Sequence, residues 1–311
     1  MSGGPVLVTG ASGFAGRHLV EHLRQSADVV GWSRSPASSE GPSGVRWQQI
    51  DLTHRDQVCQ SLRDLQPREV YHLAGEAQVD RSDGRPAQTL EVNVVATHHL
   101  LDGLRRLGSR ARVLVTSSAT VYAPSTTPIP ENGPTSPRGA YAFSKLAQEM
   151  LSVRAVAEDG IDVVITRSFN HTGARQSPSF AASSFARQVA LIERDRQSPV
   201  LSVGNLDSVR DLTDVRDVVR AYVALMAAGI PGEVYNVASG VGRPIRAVVD
   251  VLLEAARVPL HVEVDPTRVR PAETTALVGD ISKLQALTGW TPQISFEQML
   301  TDLLDYWRAQ P

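Results

Sequence analysis

Short apolar runs alternate with amphipathic stretches through the first half of the chain. The apolar runs carry little polar alternation, and they read "VLVT", "DVVGW", "VRWQQI", "VYHLAG" and "RVLVTS". Such runs are typical of strands in a parallel sheet that is buried on both faces. The stretches between them, such as "GFAGRHLVEHLRQ" and "AQTLEVNVVATHHLLDGLRRL", predict helices with one apolar face. The pattern therefore predicts repeated βαβ units.

The same alternation indicates where the chain divides. One more unit follows, a helix "GAYAFSKLAQEMLSVRAVAEDG" that Gly160 is predicted to end, and a strand "DVVITRS". After Asn170 the rhythm breaks, and it returns once in "DVRDVVRAYVALMAAG" and "EVYNVAS". We predict an α/β fold with a Rossmann-like, doubly wound parallel sheet in residues 1–168 and 210–240. Residues 169–209 and 241–311 are predicted to form a smaller, mostly helical carboxyl-terminal substrate domain.

The composition narrows the class of protein. The 311 residues are 42% hydrophobic and 21% charged, which is typical of a soluble globular chain. A net charge of -2 gives no basic field of the kind that nucleic-acid binding uses, so nucleic acid is not an expected partner. No apolar run approaches the ~18 residues of a membrane span, and the amino terminus lacks a signal-peptide pattern. The lone Cys59 cannot form an internal disulfide, so we expect a cytoplasmic protein.

A glycine-rich turn joins the first predicted strand to the first predicted helix. In "VLVTGASGFAG", Gly10, Gly13 and Gly16 permit a tight turn and let a pyrophosphate approach the helix amino terminus. This arrangement predicts a dinucleotide site. Asp51, at the end of the third strand, could accept from the adenine amino group or cap the following helix, and both readings stay open.

The end of the second strand distinguishes between the two nicotinamide dinucleotides. A carboxylate there would bind the ribose 2′-hydroxyl of NAD and repel a 2′-phosphate. The sequence "DVVGWSRS" offers no acid but places Arg34 there, and a guanidinium suits a phosphate. We therefore predict NADP(H), with NAD(H) as the alternative cofactor and a solvated loop arginine as the alternative role of Arg34.

Tyr141 and Lys145 in "YAFSK" predict the reaction centre. Residues i and i+4 of a helix share a face, so the ammonium would lie beside the phenol and lower its pKa towards working pH. Such a phenol can exchange a proton with a carbonyl or alcohol oxygen. Ser118, at the end of a predicted strand in "SSATVYA", could hydrogen-bond the same oxygen. His98 and His99 have no third ligand at a recognisable spacing, so no metal site is predicted.

The motifs of the chain, in their order, resemble those of the extended short-chain dehydrogenases/reductases that modify nucleotide sugars. The motifs are "TGASGFAG", Asp51-Leu52, "HLAG", Asn93 in "EVNVVAT", "SSATVYA", "YAFSK" and "RSFNHTG", and they span essentially the whole chain. The resemblance implies a catalytic triad of Ser118, Tyr141 and Lys145. It also implies cofactor contacts along these motifs, at Gly10, Ser12, Gly13, Phe14, Ala15, Gly16, Arg34, Asp51, Leu52, Leu73, Ala74, Gly75, Asn93, Thr116, Tyr141 and Lys145. Ala123 and Ser168 depart mildly from the family pattern, and neither belongs to the triad.

The second half resembles the GDP-mannose branch of that family, and within it the reductases that form GDP-D-rhamnose. The motifs that carry this likeness are "FNHTGARQ", "VGNLDSVRDLTDVRDVVRAY", "EVYNVASG" and "VRPAE". The likeness implies substrate contacts at Ser118, Thr120, Asn170, Arg187, Arg210, Arg270 and Glu273. A surface salt-bridge network is the alternative role of Arg210. The resemblance also implies a homodimer formed through the helices that contain Asn93 and Tyr141.

We therefore predict NAD(P)H-dependent reduction of the C4 ketone of GDP-4-keto-6-deoxy-D-mannose. GDP-mannose 4,6-dehydration is the alternative reaction, and it needs a base for the C5 proton. The dehydratases of the family carry a glutamate at the position of Thr120, whose hydroxyl cannot act as a base at neutral pH. A 4-epimerase or 4-reductase of another nucleotide sugar is the third possibility. A non-catalytic dinucleotide sensor on the same fold would not need the complete triad.

Overall fold

The computed structural model describes residues 3–35, 44–268 and 276–311. The strands in these ranges are β1 (Val6–Thr9), β2 (Val29–Ser33), β3 (Arg46–Gln49), β4 (Glu69–His72), β5 (Arg112–Ser118), β6 (Val163–Ser168), β7 (Asn170–Thr172), β8 (Val200–Val203), β9 (Val209–Asp214), β10 (Val234–Val237), β11 (Gly242–Pro244), β12 (His261–Val264) and β13 (Ala276–Leu277). The helices are α1 (Phe14–Leu23), α2 (Arg55–Leu65), α3 (Val79–Gly84), α4 (Pro86–Leu90), α5 (Ala96–Arg106), α6 (Gly139–Asp159), α7 (Ala181–Ile192), α8 (Val215–Ala228), α9 (Ile245–Glu254), α10 (Ser282–Thr288) and α11 (Phe296–Ala309).

A seven-stranded parallel sheet organises the described chain. Its strand order is β3-β2-β1-β4-β5-β6-β10, so the order reverses between β1 and β4. Apolar clusters cover both faces, one of them with α1 and α8 and the other with α2 and α5. The predicted doubly wound α/β fold is therefore confirmed. The reversal of strand order places the carboxyl ends of β1 and β4 at the crevice where ligands of such sheets bind.

A third apolar cluster, separate from the sheet, is built from α7, α9, α11 and β8. Short strands accompany these helices: β7, β11 and β13 pair with β9, and β12 pairs with β8. The smaller region is mostly helical, as predicted, and it also contains these short strands. Part of the predicted range 241–311 packs instead in the core of the sheet, through Ile281, Leu284 and Trp290. The boundaries of the two domains stay a prediction.

The helix around Tyr141 is continuous, whereas the helix around Asn93 is not. Gly160 ends α6 with φ 69°, as predicted. The stretch that the sequence predicted as one helix is instead α4, a π-helical turn at Glu91–Val95 and α5. The Thr97 hydroxyl donates to the Asn93 carbonyl at 2.6 Å inside this irregular turn. Asn93 therefore lies in a locally widened helix, a feature that is frequent at functional sites.

None of the helices in residues 3–35, 44–268 and 276–311 combines the length and the apolar character that crossing a bilayer requires.

Asp217 joins α8 to the segment that leads into α11. Its carboxylate is fully buried, pairs with Arg220, and accepts the amide N–H groups of Gln293 and Ile294, each at 2.9 Å. The indole of Trp290 also donates to the Asp217 carbonyl at 3.1 Å. A single buried acid thus satisfies one guanidinium and two amides.

We predict that Asp217→Ala lowers the free energy of unfolding by about 3 kcal/mol, because it removes the buried carboxylate that two backbone amides and the Arg220 guanidinium share. Urea denaturation measures this loss. The matched control is Asp28→Ala, which breaks an ion pair of 2.7 Å whose side chains are 60% and 59% exposed. That control should cost about 1 kcal/mol or less. Equal losses in the two variants would contradict the role assigned to Asp217.

Candidate active site

The predicted glycine turn lies at the carboxyl end of β1. Gly10 has φ +67°, and a Cβ there would lie 2.7 Å from the Ala74 nitrogen, so only glycine lets β1 end against the segment after β4. A Cβ on Gly16 would lie 2.1 Å from the Gly10 carbonyl oxygen. The turn leads into α1, whose first amides have no partner within the helix and suit an anion. This cradle fits the pyrophosphate of a dinucleotide.

The segment after β4 brings cofactor and catalytic residues together. A Cβ on Gly75 would lie 2.7 Å from Asn93 Oδ1 and 3.6 Å from Lys145 Nζ, so the backbone passes directly beside both groups. Asn93 Oδ1 accepts the Glu76 N–H at 2.7 Å, and Asn93 Nδ2 donates to Ser144 Oγ at 2.8 Å. The two segments predicted separately from "HLAG" and Asn93 therefore meet at one point beside the catalytic helix.

The end of β2 carries the exposed arginine on which the prediction of NADP(H) depends. Arg34 is exposed there, and its charge acts on Asp51. Burial would raise the pKa of Asp51, but the two hydrogen bonds from Thr53 and the nearby cations outweigh it, and the pKa is lowered. Asp51 Oδ1 accepts the Thr53 N–H at 3.0 Å and its hydroxyl at 2.8 Å, in the turn that leads to α2. Asp51 thus organises this turn, while its contact with adenine stays a prediction.

The three triad residues converge at the carboxyl end of β5. Ser118 is the last residue of β5, and its hydroxyl lies close enough to the Tyr141 phenol to oppose the rise of its pKa. Lys145 lies one helical turn after Tyr141, is 5% exposed, and donates from Nζ to the Thr116 carbonyl at 3.0 Å. The Thr120 N–H and hydroxyl both donate to Ser118 Oγ, at 3.2 and 3.0 Å. Thr120 therefore supports Ser118 in this structure.

The electrostatics of the triad differ from the sequence prediction in one respect. Lys145 was expected to lower the pKa of Tyr141, whereas burial raises it, with the Ser118 hydrogen bond opposing and the charge of Glu76 adding to the rise. Burial of the phenol dominates, and the Lys145 ammonium donates to the Thr116 carbonyl. Burial also lowers the pKa of Lys145 to about 8, although the Glu149 carboxylate counteracts it. The site therefore holds a neutral phenol beside a lysine that titrates close to neutrality.

Glu76 is a functional candidate that sequence reasoning missed. It lies in "HLAGEAQ", just beyond β4, and its charge acts on the Tyr141 phenol. Its Oε1 accepts the amides of Ala77 and Gln78 at 3.1 and 3.2 Å. The signal was an acid placed shortly after a central parallel strand, where side chains face the ligand crevice.

The predicted substrate residues occupy different places. Asn170 is exposed at the start of β7, and Arg210 is half-buried on β9, where its guanidinium donates to the Val209 carbonyl at 2.9 Å. Arg187 lies on α7 with its guanidinium 5.8 Å from the centre of the Trp307 ring, a contact that packs α7 on α11. The structure thus gives Arg187 a packing partner, and its role in substrate binding stays a prediction. Arg270 and Glu273 lie outside the described residues.

Comparison with known proteins defines the class. A family model described as GDP-mannose 4,6 dehydratase matches residues 7–303. The chain therefore belongs to this family of nucleotide-sugar enzymes, and the predicted resemblance to the extended short-chain dehydrogenases/reductases is confirmed. The enzymatic character predicted from the triad is confirmed with it.

Individual relatives within and around the family differ in activity. The chain is 37% identical over 313 residues to a GDP-6-deoxy-D-mannose reductase of Pseudomonas aeruginosa, covering 98% of this chain and 97% of the relative. It is 26% identical to a GDP-mannose 4,6-dehydratase of Vibrio cholerae, over 96% of this chain and 92% of that one. The solved structure of RMD from Pseudomonas aeruginosa complexed with NADPH superposes with a TM-score of 0.85 at 34% identity, over 98% of this chain and 99% of that chain. The solved structure of a UDP-glucose 4-epimerase of Thermus thermophilus complexed with NAD superposes with a TM-score of 0.86 at 30% identity, over 98% of this chain and 99% of that chain.

We predict that Arg34→Ala weakens NADPH binding roughly tenfold or more and changes NADH binding about twofold at most, since only NADPH carries the phosphate that the guanidinium would grip. Titration of both dinucleotides by calorimetry measures the two dissociation constants. Arg63→Ala removes an exposed arginine of α2 that donates to Gln60, and it serves as the control. An equal loss for NADPH and NADH would overturn the assignment of Arg34.

Proposed function

We propose that the protein reduces the C4 ketone of GDP-4-keto-6-deoxy-D-mannose to GDP-D-rhamnose with NADPH. The observation that carries this proposal is the meeting of Ser118, Tyr141 and Lys145 at the end of β5, in a site whose phenol is kept neutral. The likeness to the GDP-6-deoxy-D-mannose reductase supports the same reaction. NADPH, when bound, supplies the hydride.

Each triad residue has a role that follows from its surroundings. Tyr141 is the proton donor to the C4 oxygen, because its raised pKa keeps the phenol protonated until the alkoxide develops. Ser118 orients that oxygen, and the two hydrogen bonds from Thr120 fix the serine hydroxyl for this purpose. Lys145 is the buried cation that donates to the Thr116 carbonyl, and the remaining protons of its ammonium would bind the nicotinamide ribose.

The residues around the crevice fit NADP(H). The Gly10 turn and the amino terminus of α1 would hold the pyrophosphate, and the exposed Arg34 would bind the 2′-phosphate. Asn93 and Gly75 line the path to Lys145, where the nicotinamide ribose would lie. NAD(H) fits the same turn without the contact to Arg34, so it remains the alternative cofactor.

Dehydration of GDP-mannose is the second candidate, and the relationship to the Vibrio cholerae dehydratase favours it. That reaction requires a base for the C5 proton. At the position where a glutamate would serve, the structure has Thr120, whose hydroxyl is donated to Ser118. A hydroxyl so engaged cannot take a proton at neutral pH. This geometry supports reduction over dehydration.

We also propose that the enzyme works as a homodimer in the reducing cytoplasm. On α6, Phe143, Met150 and Val153 are 56%, 68% and 45% exposed, and they form one stripe of the helix. Val95, in the adjoining π-helical turn, is 41% exposed. A second copy that covers this stripe would bury it through the helices that contain Asn93 and Tyr141.

We predict that the protein consumes NADPH when GDP-4-keto-6-deoxy-mannose is generated in situ, with GDP-D-rhamnose identified by NMR. Tyr141→Phe should lower turnover roughly 100- to 10,000-fold, because the proton donor is lost, while NADPH affinity changes little. Tyr235→Phe, which alters a phenol on β10 at the edge of the sheet, is the matched control and should keep full turnover. Unchanged turnover in Tyr141→Phe would refute the mechanism, and release of a keto sugar from GDP-mannose alone would support the dehydratase.

We predict that Met150→Glu sediments as a monomer under conditions in which the unchanged protein sediments as a dimer. Burying a carboxylate in an apolar interface costs about 2 kcal/mol or more, which is roughly thirtyfold in the dissociation constant. Analytical ultracentrifugation over a concentration series measures it. Ile230→Glu alters a residue that is 54% exposed outside the stripe, and it should leave the dimer intact. A dimer of equal strength in both variants would exclude α6 as the interface.

A further inference from the structure

We propose that Glu149 is a positioning residue of the active site: it clamps α6 onto the ends of β5 and β6 and supplies the counter-charge of the Lys145 ammonium. The proposal deepens the proposed function, on which it rests for the role of Lys145 in the reaction. It concerns a residue that the triad itself does not include.

Glu149 lies one helical turn after Lys145 on α6, so the two side chains share a face. Its carboxylate is 4% exposed and fully engaged. Oε1 accepts the Ser117 hydroxyl and Nε of Arg167, the latter at 2.9 Å, and Oε2 accepts Nη2 of Arg167 at 2.7 Å. The guanidinium is therefore held by both carboxylate oxygens, the geometry in which such pairs are strongest.

The contacts made by Lys145 and Glu149 fall on consecutive residues of one strand. Lys145 Nζ donates to the Thr116 carbonyl at 3.0 Å, and Glu149 accepts from the next residue, Ser117. Ser117 is paired in register with Arg167 on β6, so the same carboxylate spans both strands. Because Ser118 follows directly, a slide or rotation of α6 would break these contacts and change the distance between Ser118 and Tyr141.

The charges around Lys145 leave Glu149 as its counter-ion among the described residues. His72 on β4 is neutral, since burial and the charge of Lys145 lower its pKa to about 3. Tyr141 on α6 is also neutral, and Glu76 acts on that phenol. The carboxylate that opposes the effect of burial on the pKa of Lys145 is Glu149.

Arg167 shares this carboxylate but does not cancel it at Lys145. Its guanidinium also donates to the Glu131 carbonyl at 2.9 Å and lies 4.6 Å from the centre of the Tyr122 ring. The pKa of Tyr122 is raised to about 12 by burial, so the phenol adds no charge. The cluster thus consists of two buried cations and one carboxylate, and loss of the carboxylate leaves both cations uncompensated.

A purely structural role would not require the charge of Glu149, because an apolar pair of similar volume can pack as well as a buried ion pair. A charge matters if Lys145 must remain an ammonium despite its burial. The two roles therefore predict different titrations of Lys145, and this difference can be measured directly.

The sequence makes that measurement simple, since it contains two lysines, Lys145 and Lys283. Protein labelled at lysine Cε gives two NMR signals, and the pH dependence of each reports one ammonium. Lys283 is the internal reference, because its ammonium contacts Glu233 at 2.7 Å and the Tyr235 ring. Lys145→Arg assigns the signals. The measurement needs neither substrate nor turnover, so it fails or succeeds independently of the proposed reaction.

In Glu149→Gln the midpoint of the Lys145 signal should fall from the native value near 8 by about one pH unit or more, a tenfold loss of proton affinity, while the Lys283 signal is unchanged. Glu149→Asp, which keeps the charge, should restore most of the midpoint. Ser117→Ala removes the hydroxyl and keeps the charge, so its midpoint should match the native protein. A Lys145 midpoint that is the same in Glu149→Gln as in the native protein overturns the proposal.

If Glu149→Gln alone does not fold, the double variant Glu149→Gln/Arg167→Gln replaces it, since no buried guanidinium is then left without a carboxylate. A smaller fall in the Lys145 midpoint is expected, because the Arg167 cation is removed together with the carboxylate, and a native midpoint again overturns the proposal. In steady-state kinetics, the loss of kcat in Glu149→Gln should grow as the pH rises from 6 to 8, while KM for NADPH changes less. A loss of kcat that is equal at all pH values would show that Glu149 has only a structural role.

Discussion

The hydrogen bond from the buried Lys145 ammonium to the Thr116 carbonyl is the contact on which the active site depends. It joins the catalytic helix to the strand that ends in Ser118, and these two elements carry the whole triad. An ammonium in such a place is costly, so the fold must surround it with acceptors and a counter-charge. The carbonyl of the strand supplies the first, and the Glu149 carboxylate one turn along supplies the second.

A chain of buried polar groups extends this contact to the cofactor turn. Thr97 donates its hydroxyl to the Asn93 carbonyl and accepts from Gln148, so His72 must donate to it from Nε2. His72 Nδ1 then accepts from Thr9, the residue before the glycine turn, at 2.8 Å. The neutral state of His72 follows from burial and from the nearby Lys145 charge. The turn, the π-helical segment and the catalytic helix are thereby fixed relative to one another.

The sequence predicted the sheet and the triad because both depend on local patterns: buried parallel strands read as apolar runs, and Tyr141 and Lys145 share a helical face. The π-helical turn around Asn93 could not be predicted, since its apolar spacing continues that of α5. The rise in the Tyr141 pKa was missed because it depends on burial and on Glu76, which lies distant in sequence. Glu149 carried a signal, an acid one turn after the lysine, but its pairing with Arg167 required the tertiary structure.

The distribution of protons over the site argues for the direction of its chemistry. Glu76 acts on the Tyr141 phenol and Glu149 on the Lys145 ammonium, and both carboxylates accept hydrogen bonds. Oε1 of Glu76 accepts two backbone amides, and Glu149 is bound by a guanidinium and a hydroxyl. Both carboxylates are therefore engaged as hydrogen-bond acceptors within the protein. Tyr141, by contrast, retains its proton through burial. A site with a ready donor and occupied acceptors suits the protonation of an alkoxide formed by hydride addition, and it disfavours removal of a proton from carbon.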